Sequence, residues 1–369
     1  MKNIPVRVGV QQRVLPSYRI PFFDALAEVC LQGLSVFAGK PGRSEALDVG
    51  PVTRKAQYTQ GYNYHFFKGL FYLCWQSGLI SWLQSWKPAV LIMEANMRYP
   101  NSYCALEWMH KHGHPVIGWG LGSPYPVGKL PGQRLNMRRW FVKRFDALIT
   151  YSQRGAEEYT SLGFPANKIF VAPNAVAPRP KKLPIKRPLF YRFDRPVVLF
   201  VGRLQARKRV DELIRACGEL PGEVRPFLWV VGDGPERYAL EKLAEEVFPE
   251  TKFYGAIHGR ELEELFKKAD LFVLPGTGGL AVQQAMSFAL PVIVGEADGT
   301  RGDLLREENG WAVSSGDITA LANVVQEALG NISGLRTKGL ASYRIVKREI
   351  NLENMVAVFM RAILSALRG

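Results

Sequence analysis

Cysteine is scarce in this chain, with four residues in 369, at Cys30, Cys74, Cys104 and Cys217. A thiolate metal site needs closely spaced pairs and a disulfide scaffold needs denser cysteine, so reduced, buried, structural thiols are expected. Histidine clusters only at His110, His112 and His114. Gly113 and Pro115 make that segment a helix-to-strand turn with no acidic ligand nearby, and no metal is expected. The aromatic-rich residues 62–86 are interrupted by His65, Lys68, Gln76, Ser77 and Gln84. They fall short of the ~20 apolar residues a spanning helix needs and could at most touch lipid. Met1 to Val10 runs directly into Gln11, Gln12 and Arg13, unlike a secretory leader, so a cytosolic protein is expected. Low-complexity tracts and short internal repeats are also lacking.

Hydrophobic residues make up 47% and charged ones 22%, which are globular values, and the length suits two domains. The net charge of +15 is uneven, because residues 1–180 hold 21 Lys/Arg against 9 Asp/Glu while residues 181–369 hold 27 against 24. The first half therefore faces something anionic, for which nucleic acid, a phosphate-bearing substrate and a membrane leaflet all qualify on charge alone.

The second half alternates short apolar runs with amphipathic helices, the pattern of a parallel sheet with crossover helices. The runs are Val197 to Val201, Phe227 to Val231, Lys252 to Tyr254, Leu271 to Leu274 and Pro291 to Val294, with helices from about Val210, Pro235, Arg260 and Leu280. Similar but noisier runs in the first half are Val6 to Val10, Leu34 to Phe37, Val90 to Met93, Val116 to Trp119 and Ala147 to Thr150. The fold class is α/β. A proline-rich, basic, aperiodic stretch joins the halves. The expected domains are 1–175, a linker at 176–196, 197–345, and a helical segment at 346–369 that can return to the first domain.

Open parallel sheets bind ligands beyond the carboxyl ends of their strands. The first such loop of the second half is VGRLQARKR, with Gly202, Arg203 and Lys208. Arg203 can bind two phosphate oxygens and Lys208 adds a point charge, although a solvated basic loop would look the same. Then come VVGDGP, with Gly232 and Gly234, and LPGTGGLAVQQAM, where Gly276, Gly278 and Gly279 precede a helix. A helix start of that kind offers free amides and a positive dipole end to phosphate.

With FYGAIHGRELEELFKKADLFVLP and ALPVIVGE in the same order, and DALITYSQRGAEEYTSLGFPANKIFVAPNAV before them, these loops resemble the donor half of glycosyltransferase family 4 over residues 146–330. That resemblance implies the GT-B fold, two facing Rossmann-like domains with a cleft between them, and retaining transfer from a nucleoside-diphosphate sugar, a UDP-sugar being favoured. No cofactor is implied. Arg203 and Lys208 would be the catalytic cations on the diphosphate. Gly202 would let the backbone approach the diphosphate, Gly232 and Gly234 would line the nucleotide, Ala256 and Ile257 would face the base, the amides near Gly279, Leu280 and Ala281 would hold the distal phosphate, and Gly278 would belong to the same donor site. The family usually carries two glutamates in the third loop, one for the sugar and one for the ribose, where this chain has Gly276 and Gln284. Glutamine can still bond a ribose diol, but glycine offers the sugar only backbone. A non-catalytic nucleotide-sugar-binding subunit is therefore the alternative.

The first half resembles a subset of the family through QQRVLPSYRIPFFDAL, PAVLIMEANMRYPNSYCAL and GHPVIGWGLG. Acceptor or sugar candidates there are Tyr18, Arg19, Glu94, Trp119 and Gly120. Capping or ion pairing is as good a role for Glu94, and packing a better one for Trp119. QRLNMRRWFVKRF, spanning Arg134 to Arg144, has the makeup of a basic amphipathic helix on an anionic surface, or of a helix packed by its aromatic face. The expected partners are thus a nucleotide-sugar donor, a glycan or lipid-linked acceptor and an anionic membrane surface, with no nucleic acid. The expected location is cytoplasmic or peripheral at the inner membrane face.

Overall fold

The computed structural model describes residues 3–42, 53–67, 69, 72–123, 131–295 and 301–369. Lys68, noted above as an interruption, and Glu296 of ALPVIVGE lie outside the described residues. The chain forms two compact units, residues Met1–Val176 with Leu352–Gly369, and Ala177–Asn351.

Unit 1 begins with β1 (Val8–Val14), α1 (Ile20–Glu28), β2 (Leu34–Gly39) and β3 (Gln57–Gln60). A hairpin follows, β4 (Tyr62–Phe66) and β5 (Leu73–Ser77), then α2 (Leu79–Trp86), β6 (Val90–Glu94), α3 (Asn101–Lys111) and β7 (Val116–Gly120). It continues with α4 (Pro131–Val142), β8 (Ala147–Thr150), α5 (Gln153–Ser161) and β9 (Ile169–Val171). Its seven-stranded sheet has the order β3-β2-β1-β6-β7-β8-β9, with every pairing parallel.

The first strand runs further than its apolar residues do, because Gln11 and Gln12 are buried within it. Burial of these amides is offset by partners: Gln11 Nε2 donates to Gln76 Oε1 at 2.8 Å, and Gln76 Nε2 donates to the Gln12 carbonyl at 3.0 Å. Gln76 lies on β5, so the polar end of β1 is where the hairpin is fastened. The hairpin itself was not visible as an element in residues 62–86.

Unit 2 contains β10 (Val197–Val201), α6 (Val210–Gly218), β11 (Phe227–Val231), α7 (Arg237–Val247), β12 (Thr251–Gly255) and α8 (Gly259–Lys268). It goes on through β13 (Leu271–Leu274), α9 (Leu280–Ser287), β14 (Val292–Val294), α10 (Arg301–Leu304), β15 (Gly310–Ala312), α11 (Ile318–Gly330) and α12 (Ile332–Arg348). The six parallel strands have the order β12-β11-β10-β13-β14-β15. Since β11 and β13 lie on opposite sides of β10, the strand order reverses there, and this is where such sheets open a crevice.

Residues 177–196, expected as a linker, are packed into unit 2. Arg187 donates to the carbonyls of Lys267, Phe266, Phe288 and Ala289 at 2.9, 2.9, 3.0 and 3.4 Å, and Tyr191 donates to that of Leu329 at 2.5 Å. Burial, with Arg336 nearby, pulls the Arg187 pKa down to about 10. A basic side chain that satisfies four backbone carbonyls cannot be told from a solvated one by composition. The expected helical segment 346–369 also divides, since Val346–Arg348 end α12 in unit 2 whereas α13 (Leu352–Ala366) belongs to unit 1. Phe359 of α13 meets Phe22 and Trp119, with ring centroids 4.8 and 4.9 Å apart. Burying one such phenylalanine contributes about 1.5–3 kcal/mol.

Three of the cysteines are buried, but Cys104, on α3, is exposed, which corrects the expectation for that residue. Burial alone pushes the Cys30 thiol up to about 12. Among the described residues no helix is long and apolar enough to cross a membrane.

Candidate functional site

In unit 2 the loops leaving β10, β11 and β13 converge through their backbones. Gly202 N donates to the Val231 carbonyl at 2.9 Å, Gly232 N to that of Gly255 at 2.8 Å, and Leu204 N to that of Asp233 at 2.9 Å. Gly232 has φ +137°, and a Cβ there would lie 1.9 Å from the Gly202 carbonyl oxygen, so only glycine permits this approach. Gly234 stands in the same relation to Leu204, at 2.2 Å. Ala256 and Ile257 follow directly after the strand whose last residue, Gly255, joins this network.

The β10 and β13 loops are joined as closely. Thr277 N donates to the Arg207 carbonyl at 3.0 Å, Arg207 Nη1 to Thr277 Oγ1 at 2.9 Å, and Lys208 Nζ to the Thr277 carbonyl at 2.5 Å. A Cβ on Gly276 would sit 2.2 Å from the Arg207 carbonyl oxygen and 2.6 Å from the Lys208 Cα. The space a glutamate would need at position 276 is thus filled by the backbone that carries Lys208. Gly279 caps α9 without a side-chain acceptor, and Leu280 and Ala281 supply amides with no partner inside the helix. Those amides and the helix dipole face the same loop as Lys208, an arrangement suited to a phosphate.

Gln284 is half-buried in the second turn of α9. Its neighbour Gln283 is fully buried, accepting from Ala177 N at 3.2 Å and donating to the Ile350 carbonyl at 3.1 Å. Gln283 thus fastens the ends of the unit. Arg203 is partly exposed on the β10 loop. Glu212, unremarked in the sequence, takes the Arg209 guanidinium at 2.5 Å and Gly316 N at 3.2 Å, and so fixes the entry to α6.

In unit 1 the strand ends are filled by side chains. Arg19 is buried and donates through Nη2 to the Tyr151 hydroxyl at 2.7 Å, with its guanidinium carbon 4.6 Å from the Trp119 ring centre. Its Nη1 is buried with no hydrogen-bond partner among the described residues. Burial pushes the Tyr151 hydroxyl up to about 12 despite Arg19 beside it. Tyr151 follows β8 and carried no motif in the sequence, so only packing exposes its role. Tyr18 is 40% exposed next to this group.

Two acceptor-side candidates are held by packing, which for Trp119 is the role the sequence favoured. Trp119 is only 2% exposed, enclosed by Phe22, Phe23, Tyr151 and Phe359, and presents no face on which a sugar could stack. Gly120 is required by packing, since a Cβ there would lie 2.5 Å from the Tyr159 hydroxyl oxygen. Glu94 accepts Arg13 N at 2.8 Å and so braces the end of β1, while burial raises its pKa against the lowering pull of Arg13. The histidine turn also differs from expectation. An acidic residue does lie near it, as Asp146 is 3.1 Å from His110 Nε2 and accepts Val116 N at 2.7 Å. Among the described residues no three His, Cys, Asp or Glu side chains are grouped to hold a metal.

Comparison with known proteins gives a family match on each part of the chain. The model described as Glycosyltransferase Family 4 matches residues 34–179, and the one described as Glycosyl transferases group 1 matches residues 184–337. The D-inositol 3-phosphate glycosyltransferase of Xylanimonas cellulosilytica is 26% identical over 343 residues, covering 87% of this chain and 76% of that protein. The GDP-mannose-dependent alpha-(1-6)-phosphatidylinositol monomannoside mannosyltransferase of Mycolicibacterium smegmatis is 29% identical over 248 residues, 62% of each chain. Among solved structures, Anabaena Alr3699/HepE in complex with UDP superposes with a TM-score of 0.72 at 15% identity, covering 97% of this chain and 99% of that one. A further structure of HepE holds UDP-glucose.

Proposed function

This chain belongs to the family 4 glycosyltransferases of the GT-B fold, and on that premise we propose that it moves a sugar, with retention, from a nucleoside-diphosphate sugar to a hydroxyl of a glycan or lipid-linked acceptor. The observation that carries the reading is the meeting of the β10 and β13 loops, which puts Lys208 against the start of α9. The donor diphosphate lies there, on Arg203, Lys208 and the amides of Leu280 and Ala281. To take the phosphate, Lys208 exchanges its bond to the Thr277 carbonyl for a charge-assisted one to oxygen of the donor.

In the transfer, the acceptor oxygen bonds to the anomeric carbon on the face from which the diphosphate departs, and the bond from that carbon to the phosphate oxygen breaks. The acceptor proton passes to the departing phosphate. Arg203 and Lys208 stabilise the charge that grows on it, the kind of electrostatic contribution that commonly dominates catalysis. The sugar hydroxyls meet backbone at Gly276, and the ribose meets the Gln284 amide.

The names of the relatives support a product in glycolipid or polysaccharide synthesis, and the nucleotides bound by HepE support a UDP-sugar. Thermal shift across UDP-, GDP- and ADP-sugars tests the donor, because a ligand of the native state raises its apparent stability. Arg203→Ala with Lys208→Ala should then lower transfer by about a thousandfold or more with the fold intact. Equal transfer by the double variant would sink the assignment, and binding without any turnover would leave the subunit alternative standing.

A further inference from the structure

The hairpin of unit 1 separates its two faces sharply. In register, Tyr62 pairs with Ser77, Tyr64 with Trp75 and Phe66 with Leu73, which puts these side chains on one face, and Asn63 pairs with Gln76 and His65 with Cys74 on the other. The second face is fastened down: Asn63 Nδ2 donates to the carbonyls of Arg13 and Lys40 at 2.8 and 2.9 Å, and Gln76 Nε2 donates to the Gln12 carbonyl at 3.0 Å. The first face stands open, with Tyr62 63%, Tyr64 54%, Phe66 49%, Leu73 36% and Trp75 41% exposed. A contiguous exposed apolar face of this kind marks an interaction site, and single exposed residues do not.

The surroundings are cationic. The chain has no Asp or Glu between Asp48 and Glu94, nor between Glu107 and Asp146. The Arg98 carbonyl accepts Cys74 N at 3.0 Å, so Arg98 lies beside β5, and it is exposed. Burial, then Arg134 and Arg98, lower the Arg138 pKa against a smaller opposing effect from Glu158, so the arginines of α4 and the hairpin's neighbour feel one another. On α4 itself Met137, between Arg134 and Arg138, and Trp140, after Arg139, are exposed.

We propose that the aromatic face of the β4–β5 hairpin, with Arg98 and the arginines of α4 beside it, docks this chain on an anionic lipid bilayer, Tyr64, Phe66 and Trp75 seating at the headgroup level. Tyrosine and tryptophan favour that level because one end of each ring system is apolar and the other is wet. Acidic lipid neutralises the arginines, whereas a second copy of the chain would bring the same cationic frame against itself. Because the underside of the hairpin is already bonded to β1, little ordering is left to oppose docking. The inference does not depend on which sugar is moved, or on whether any is.

The full chain would be co-sedimented with vesicles of phosphatidylcholine alone and with roughly one third phosphatidylglycerol added. Binding should need the acidic lipid, weaken with salt, and fall about tenfold or more in Tyr64→Ser with Trp75→Ser. Brominated lipid should quench the wild-type fluorescence, and Trp75→Phe should remove that part of the quenching. Near-UV circular dichroism and the nucleotide thermal shift, read on the same variants, confirm that they fold. The proposal is overturned if acidic lipid makes no difference, if the hairpin variant binds vesicles like the wild type, or if light scattering shows a dimer that the hairpin variant abolishes. Vesicle binding and quenching are read without donor or acceptor, and circular dichroism alone suffices as the folding control, so their failure and that of the transferase reading are distinguishable.

Discussion

In unit 2 the loops leaving β10, β11 and β13 meet backbone to backbone, whereas in unit 1 the backbone bond from Ala95 N to the Trp119 carbonyl is joined by side-chain links at the ends of β1, β6 and β8. Gly232 touches Gly202 and Gly276 touches Arg207 where only glycine fits. Across the corresponding ends of unit 1 stand Arg19 on Tyr151 and Glu94 on Arg13 N. Backbone loops closed by glycine present amides, which suit a ligand rich in phosphate oxygens and tolerate little change of their own. Ends closed by side chains can be altered one residue at a time.

That contrast can be broken first through α13. Phe359→Ala should cost unit 1 about 3–5 kcal/mol by opening a cavity between Phe22 and Trp119. Urea unfolding followed by fluorescence would show it, and nucleotide binding by the native protein should not change. Gly232→Ala attacks the other side, forcing a Cβ onto the Gly202 carbonyl at a strained φ. It should destabilise unit 2 by about 3 kcal/mol and abolish the thermal shift given by nucleotide. If Gly232→Ala bound nucleotide normally, the backbone closure would not be what shapes the site.

A smaller effect is expected from Tyr151→Phe, which takes the hydroxyl from Arg19 and leaves a buried guanidinium with less to bond. A loss of about 2 kcal/mol in urea should appear, with nucleotide affinity unchanged. The smallest concerns thiols. Cys104 should react with a disulfide reagent within the folded protein while Cys30 and Cys217, buried and with their pKa values pushed up to about 12, stay silent until unfolding. Cys104→Ser should remove the fast phase and leave stability within about 0.5 kcal/mol.

Most of unit 2 was legible in the sequence because β10, β11 and β14 are short, unbroken apolar runs each followed by glycine. The expected Val197 to Val201 and Leu271 to Leu274 are the observed β10 and β13, and the helix at Leu280 begins where expected. Unit 1 was harder to read for a physical reason. Its first strand continues through Gln11 and Gln12, whose polarity is offset by a residue 65 positions away, and no local pattern announces such a partner. The hairpin was hidden similarly, since exposed aromatics on one face and buried polar residues on the other invert the usual strand pattern. For Trp119 the sequence favoured packing over stacking, but the helix that covers it comes from the far end of the chain and could not be named.

By itself the sequence determined the α/β class, the order of the parallel strands' loops and the positions of the cations and glycines that make a phosphate site plausible. These follow from local periodicity and from the few residue types that can do each job. Only the tertiary structure decided that Gly276 is a place where backbone passes, that residues 177–196 are bonded into unit 2, and that α13 completes unit 1. It also decided that a hairpin turns its aromatic face outward. Each of those depends on contacts between residues far apart in the chain, and burial, unlike periodicity, is a property that no short stretch of sequence holds alone.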